Sequence, residues 1–171
     1  MSADPRFLSL WDEEELGPYP REAWLEGGFT PDMLPIGDEI PLAVEIVYTG
    51  YLTGSPQMFD VIRLMTEDGS LDIQLIVVGA VADNPNLLYV LDPASGEILQ
   101  FDLEAQDVQG VNTNYRTFVE FLYQFALFVE EDEGKTGRAA RAEELAERMR
   151  RIDPAAFEGD GWWPLVLGQL K

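Results

Sequence analysis

Residues 87–101 read LLYVLDPASGEILQF, and how this stretch is read decides the fold. An apolar run, Leu87 to Leu91, meets Asp92-Pro93-Ala94-Ser95-Gly96, and a second, part-apolar run ends at Phe101. Pro93 fixes φ and suits an early turn position. The Asp92 side chain can bond backbone nearby, and Gly96 supplies positive φ. Two such runs around a turn predict an antiparallel hairpin, 87–91 against 98–101. These residues are then accounted for without a ligand.

The segment after the hairpin settles the class. In VNTNYRTFVEFLYQFALFVEE, from Val111 onward, Asn112 or Asn114 is the N-cap, because a short polar side chain there accepts from free first-turn amides. From Tyr115 to Val129 the apolar residues Phe118, Val119, Phe121, Leu122, Phe125, Ala126, Phe128 and Val129 leave only Arg116, Thr117, Glu120 and Gln124 as a polar side. So wide an apolar arc predicts a helix buried against the sheet and a second element. It is too short and too interrupted for a membrane span.

Upstream, AVEIVYT (43–49) alternates and reads as a strand, as does MFDVIRLM (58–65). EDGS at 67–70 is a hairpin turn and DNPN at 83–86 another turn. Between them, LDIQLIVVG (71–79) becomes apolar on both faces at Ile76 and Val78, as a central strand entering deeper cover would. The sheet should have about five or six strands. Downstream, Ala139, Ala142, Leu145, Ala146, Met149 and Ile152 recur at helical spacing over 138–152, with Glu144 and Arg148 favourably ordered four apart. The arginines of this helix are expected beside the acidic body or toward solvent. Asp153 should cap and Pro154 open a further turn. In WWPLVLGQL, Trp162, Trp163, Leu165, Val166 and Leu170 should close the core. The prediction is one α+β domain over residues 1–171, with an antiparallel sheet and flanking helices.

Residues 1–42 are expected to form an irregular N-terminal wrap. Residues 12–41 alone hold five of the chain's 11 prolines. Asp12 can cap a short acidic turn, and 20–25 can form another. Trp11, Tyr19, Trp24, Phe29 and Leu34 read as anchors on the core, with an exposed aromatic docking strip as the alternative.

Composition narrows the function. The chain has 171 residues, 46% hydrophobic, with no Cys and no His. Disulfides, thiolate chemistry, the usual neutral-pH general base and the commonest metal ligand are therefore excluded. The start, MSADPRFLSLWDEEE, turns acidic where a signal peptide would turn apolar, so a soluble cytoplasmic protein is expected. The net charge of −21 is uneven. Residues 1–134 hold 26 acidic and 4 basic side chains, a net −22, and residues 135–171 hold 6 and 7, a net +1. Such a body repels phosphate backbones and anionic membranes. Direct nucleic-acid or membrane binding is not expected, and a basic protein partner is the natural complement.

The sequence carries no recognisable catalytic motif. Phosphate-binding glycine patterns and the nucleophile elbow are absent. Glu67, Asp68 and Asp72 lack the spacing of a calcium loop. No catalytic residue, metal or cofactor is implied. The partner-binding residues expected are acidic ones in loop-like or strand-edge segments: Glu13, Glu14, Glu15, Asp38, Glu39, Glu67, Asp68 and Asp72.

One resemblance runs through 75–122 and 153–170. LIVVGAV, LLYVLDPASGEILQFD and VNTNYRTFVEFL are similar to the core pattern of the SUKH superfamily. Its marks are a Gly after a strand, an Asp opening a strand–turn–strand unit that ends in Gly-x-apolar, and an Asn before a helix with aromatic and Leu anchors. Here these are Gly79, Asp92, Gly96 with Ile98, Asn112 and Asn114, and Phe118 with Leu122. The tail DPAAFEGDGWWPLVLGQL resembles that of the bacterial fourth-type SUKH immunity proteins. No family motif is found before Gly50. The resemblance implies a bent antiparallel sheet with flanking helices and no catalysis. It also implies binding of a toxin domain, a nuclease or deaminase for example, inside the producing cell. A general interaction module of the same fold is the alternative, and the oligomeric state is not legible.

Overall fold

The computed structural model of the chain describes residues 5–41, 43–44, 47–48, 59–65, 67–70, 72–81, 84–102, 104–105, 107–131, 137–158 and 162–168. In chain order the strands are β1 (Leu16–Pro18), β2 (Glu39–Pro41), β3 (Ala43–Val44), β4 (Val47–Tyr48), β5 (Val61–Met65), β6 (Asp72–Val81), β7 (Asn84–Leu91), β8 (Ile98–Asp102) and β9 (Asp107–Asn112). The helices are α1 (Arg21–Glu26), α2 (Tyr115–Glu130), α3 (Arg138–Ile152) and α4 (Trp162–Gly168). Short 3-10 turns stand at Pro5–Ser9, Glu13–Glu15, Pro31–Met33 and Pro154–Phe157.

The deciding turn forms as its residues dictate. Ala94 N–H donates to Asp92 Oδ1 (2.9 Å), Gly96 N–H to Asp92 O (2.7 Å) and Asp92 N–H to Glu97 O (2.9 Å). Gly96 has φ 83°, a left-handed conformation that favours glycine, and a Cβ there would also make the Met33 methyl move aside. β7 and β8 pair antiparallel, Leu91 with Ile98 through Leu87 with Asp102. The main sheet is antiparallel throughout, in the order β3-β4-β6-β7-β8-β9, with β5 also paired to β6. β1 and β2 form a separate two-stranded ribbon.

Three local expectations change. The strand expected over 43–49 is two two-residue strands, Ala43–Val44 and Val47–Tyr48, paired with each other. The five strands read from the sequence become six by this split, and β9, where only a loop and a helix cap are expected, brings the main sheet to seven among the described residues. The alternation of a strand and that of a tight hairpin look alike over so few residues. Asn84–Asn86 are strand and not turn, because Val81 already pairs with Asn84. The strand expected from Met58 begins at Val61. Before it Phe59 is held at φ 66°, a left-handed conformation costly for a bulky residue. Its ring packs 5.7 Å from Trp24.

Side-chain alternation sorts the sheet into two faces. Ile76, Tyr89, Leu91 and Ile98 join a cluster with Phe118, Phe121 and Leu122 of α2, Ala142, Leu145 and Met149 of α3, and Trp163 of α4. On the opposite face Leu75, Val77, Ala80, Leu88 and Val90 form a second buried cluster. Burial on both sides explains the unbroken apolar run in β6. Val78 shares the helix-side face with Ile76 by simple alternation, and the register shift between Val77 and Gly79 moves Ala80 onto the opposite face.

The helix-side cluster reaches from Phe7 to Leu167. Trp11, Tyr19, Trp24 and Leu34 are buried in it and Phe29 partly so, which fits anchoring rather than an exposed strip. Phe7 packs against Tyr123 (5.9 Å) and Trp24 against Tyr115 (5.3 Å). Arg6 reaches Glu120 of α2 at 2.6 Å. At the other terminus Trp163 and Leu167 are buried, but Leu165 is 54% exposed and does not close the core. The Trp162 side chain and Leu170 lie outside the described residues.

Candidate functional site

The expected acidic residues fall into two groups in different sheets. Glu13–Glu15 form an exposed 3-10 turn, and the Glu15 carboxylate accepts from Asp12 N–H (3.4 Å). They lead into β1, whose Leu16 pairs with Pro41 and whose Pro18 pairs with Glu39. Half-buried Asp38 and Glu39 therefore sit at the far end of that ribbon. Leu16 and Ile40 tie the ribbon to the helix-side core.

Glu67, Asp68 and Asp72 lie on the β5–β6 hairpin. Gly69 makes the turn at φ 73°, and Asp68 Oδ1 accepts from Ser70 N–H (3.0 Å) and Ser70 Oγ (2.7 Å). Asp72 is engaged differently. Arg63 Nε donates to its Oδ1 (2.8 Å) and Nη2 to its Oδ2 (2.7 Å), a two-point fork. These hydrogen bonds, helped by the guanidinium charge, hold the Asp72 carboxyl below its ordinary pKa. Asp72 is charged but already partnered. The face it shares with Arg63 also presents Val61 and Met65, each 60% exposed. Among the described residues no three carboxylates gather closely enough to hold a metal ion.

A third location was not anticipated. An open groove of about 620 Å³ runs between β9 and the Pro154–Phe157 turn, closed at one end by the β7–β8 turn. Its lining includes Ser95, Glu97, Gly110, Thr113, Ala155 and Glu158, and no Lys or Arg. Both glutamates are exposed.

A buried polar knot stands behind this groove. Asp153, 3% exposed, accepts from Asn112 Nδ2 (3.1 Å), Thr113 N–H (2.8 Å), Thr113 Oγ1 (2.6 Å) and Thr117 Oγ1 (3.0 Å). Asn112 Oδ1 in turn accepts from Trp163 Nε1 (2.8 Å). β9, the first turn of α2, the end of α3 and α4 are thus joined through one carboxylate. Asn114 is the N-cap, accepting from Thr117 N–H (2.9 Å), while Asn112 serves the knot. Asp153 was expected to cap the turn after it. Its side chain makes no cap bond there and reaches across to β9 and α2 instead. A capping signature cannot reveal that choice, since the competing donors come from 36 to 41 residues away in sequence. Ser95 and Glu97 of the groove lie in DPASGE and Ala155, Ala156 and Glu158 in DPAAFE, where turn chemistry is the visible signal, and the remaining wall is 108–113.

The arginines of α3 serve local contacts. Arg148 Nε donates to Gln124 Oε1 of α2 (3.2 Å) and not to Glu144, Arg150 lies over the Phe157 ring (5.2 Å), and Arg151 Nε donates to Glu147 O (3.4 Å). No described helix is long and apolar enough to cross a membrane.

The family model of the SUKH-4 immunity proteins matches residues 61–169. No curated protein and no solved structure matches the chain.

Proposed function

The chain belongs to the SUKH-4 immunity protein family, and from that premise we propose that it binds and neutralises a cognate toxin domain, one copy to one toxin. The observation that carries the reading is the family match over 61–169, which takes in β5 to α4. The charge supplies the partner's chemistry. A body of net −22 over residues 1–134 suits a basic protein, such as a nuclease whose cleft is built to attract phosphate. Covering that cleft requires area and complementary charge, and no catalytic group. The acidic turn Glu13–Glu15 and the exposed Glu67 and Asp68 act in steering the encounter, as long-range attraction raises association rates.

Titration of the chain against a fixed amount of its toxin partner, identified by affinity capture from producer-cell extract, tests the reading. The expected result is a sharp endpoint near one chain per toxin. Association measured by stopped flow should slow as ionic strength rises toward about 0.15 M, where the screening length is about 8 Å. Trace chain inactivating excess toxin would show turnover and overturn stoichiometric inhibition. A salt-independent association rate would remove the electrostatic part alone.

A further inference from the structure

We propose that the groove between β9 and the Pro154–Phe157 turn is the seat of an arginine-bearing segment of the toxin partner. This rests on the immunity reading above and assigns it a surface. Four observations converge. A volume of about 620 Å³ is that of a binding pocket, which typically spans about 300–1,000 Å³. Glu97 and Glu158 line the groove and no cation among the described residues does, so it draws a positive side chain and repels phosphate or carboxylate. Carboxylates with the nearby Ser95 and Thr113 hydroxyls match the planar, multi-donor guanidinium better than the point charge of lysine. Finally, the groove exists before any partner arrives. Asn112 and Thr113 are held by Asp153, and Asn112 by Trp163, so little ordering cost remains to be met on binding.

Gly110 sharpens the geometry. A Cβ built there meets nothing within 4 Å, and its φ is not in the left-handed region. The fold does not need glycine at this position, and the open space above it belongs to the groove. Gly110→Trp is therefore a substitution whose Cβ the backbone accommodates and whose ring is expected to occupy the groove. The β5–β6 hairpin, whose Asp72 is already forked to Arg63, carries no corresponding groove among the described residues.

The test uses the full chain and two capped pentapeptides, Gly-Arg-Gly-Arg-Gly and its glutamate counterpart, followed through backbone amide resonances. The expected shifts are largest at Ser95, Gly110, Thr113 and Glu158, and absent with the glutamate peptide. They should weaken at least about tenfold in apparent affinity in Gly110→Trp and in the double variant Glu97→Lys/Glu158→Lys, as loss of a central contact does. The charge reversals are on exposed side chains and keep the test valid should the tryptophan variant fail to fold. Shifts spread equally over Glu13–Glu15 and Glu67–Asp68, or unchanged in both variants, overturn the groove. So does self-association through β9 in the peptide-free sample, which would make the occupant a second copy. A second arm asks whether the chain protects cells from the toxin domain that affinity capture returns as its partner. Wild-type protection lost in folded groove variants supports the proposal. Protection retained by them overturns the groove and leaves the immunity reading standing. No protection by the wild type overturns the immunity reading, and the peptide shifts then decide the groove by themselves.

Discussion

Two carboxylates in this protein do the same chemistry in opposite surroundings. Asp153 is buried and accepts four hydrogen bonds from Asn112 at the end of β9, Thr113 just after it and Thr117 in the first turn of α2. Asp72 is exposed and accepts two from one arginine on the neighbouring strand. Asp153 itself is buried, so its carboxylate and the buried Asn112 amide would be stranded without this pairing. Its position beside the first turn of α2 adds the helix's positive end to its stabilisation. Around Asp72 water replaces any lost partner at little cost. The first carboxylate therefore holds the fold together, and the second tunes a surface. The groove lies against the held end, where a partner meets fixed geometry.

The contrast can be broken or sharpened by four changes, taken from the largest expected effect downward. Phe118 is fully buried, 5.6 Å from the Tyr89 ring, where α2 seals the covered face of the sheet. Phe118→Ala should cost about 3–5 kcal/mol in denaturant unfolding, through lost transfer energy plus a cavity. Unchanged stability would show that α2 does not seal this face. Asp153→Ala leaves the Asn112, Thr113 and Thr117 donors without their acceptor and should cost about 3 kcal/mol. Asp153→Asn restores one oxygen and should recover part of that. A loss no greater than for an exposed aspartate would remove the distinction between the two ends.

Tyr115 gives a smaller effect of opposite sign. Its ring is buried among Tyr19, Trp24 and Phe118, and its hydroxyl has no hydrogen-bond partner. Burial pushes its pKa well up. Tyr115→Phe deletes a stranded polar atom and should stabilise by about 1 kcal/mol in thermal unfolding. A clear destabilisation would reveal a partner for the hydroxyl. The smallest effect belongs to Arg63→Ala. Because the Asp72 pKa is depressed in the folded state, its contribution is present above the ordinary aspartate value of about 3.9 and fades as pH falls through the lowered one. Removing Arg63 should raise the Asp72 carboxyl toward that ordinary value in an NMR titration. Stability at neutral pH should hardly move. An unchanged Asp72 titration would mean that the fork does not persist in solution.

Local signals carried much of the architecture. The apolar arc from Phe118 to Val129 required a buried helix, and α2 runs from Tyr115 to Glu130. The three- and four-residue spacing from Ala139 to Ile152 gave α3 its observed bounds. The Asp92–Gly96 turn specified its hairpin down to the left-handed glycine. Where local signals were too short they misled. Four residues of AVEIVYT make two strands, and DNPN gave its last three residues to β7.

Of the site, the sequence by itself determined the sign of the surface. An excess of acidic side chains is a property of composition, and no folding changes it. It also determined the family, because an ordered set of turn, cap and helix residues is read along the chain. Only the tertiary structure decided which carboxylates are spent and where a concave surface lies. Asp153 could cap its own turn or reach across to Asn112, Thr113 and Thr117, and local geometry permits either. The choice fell to the crossing because burial penalises every donor left unpaired on β9 and α2. The groove follows from the same cause. Ser95 and Glu97 meet Glu158 across Gly110 only after β9 has paired with β8 and Asp153 has drawn the turn after α3 against it. Residues some 60 positions apart become one surface through pairing and burial, and neither is written in any short stretch of the chain.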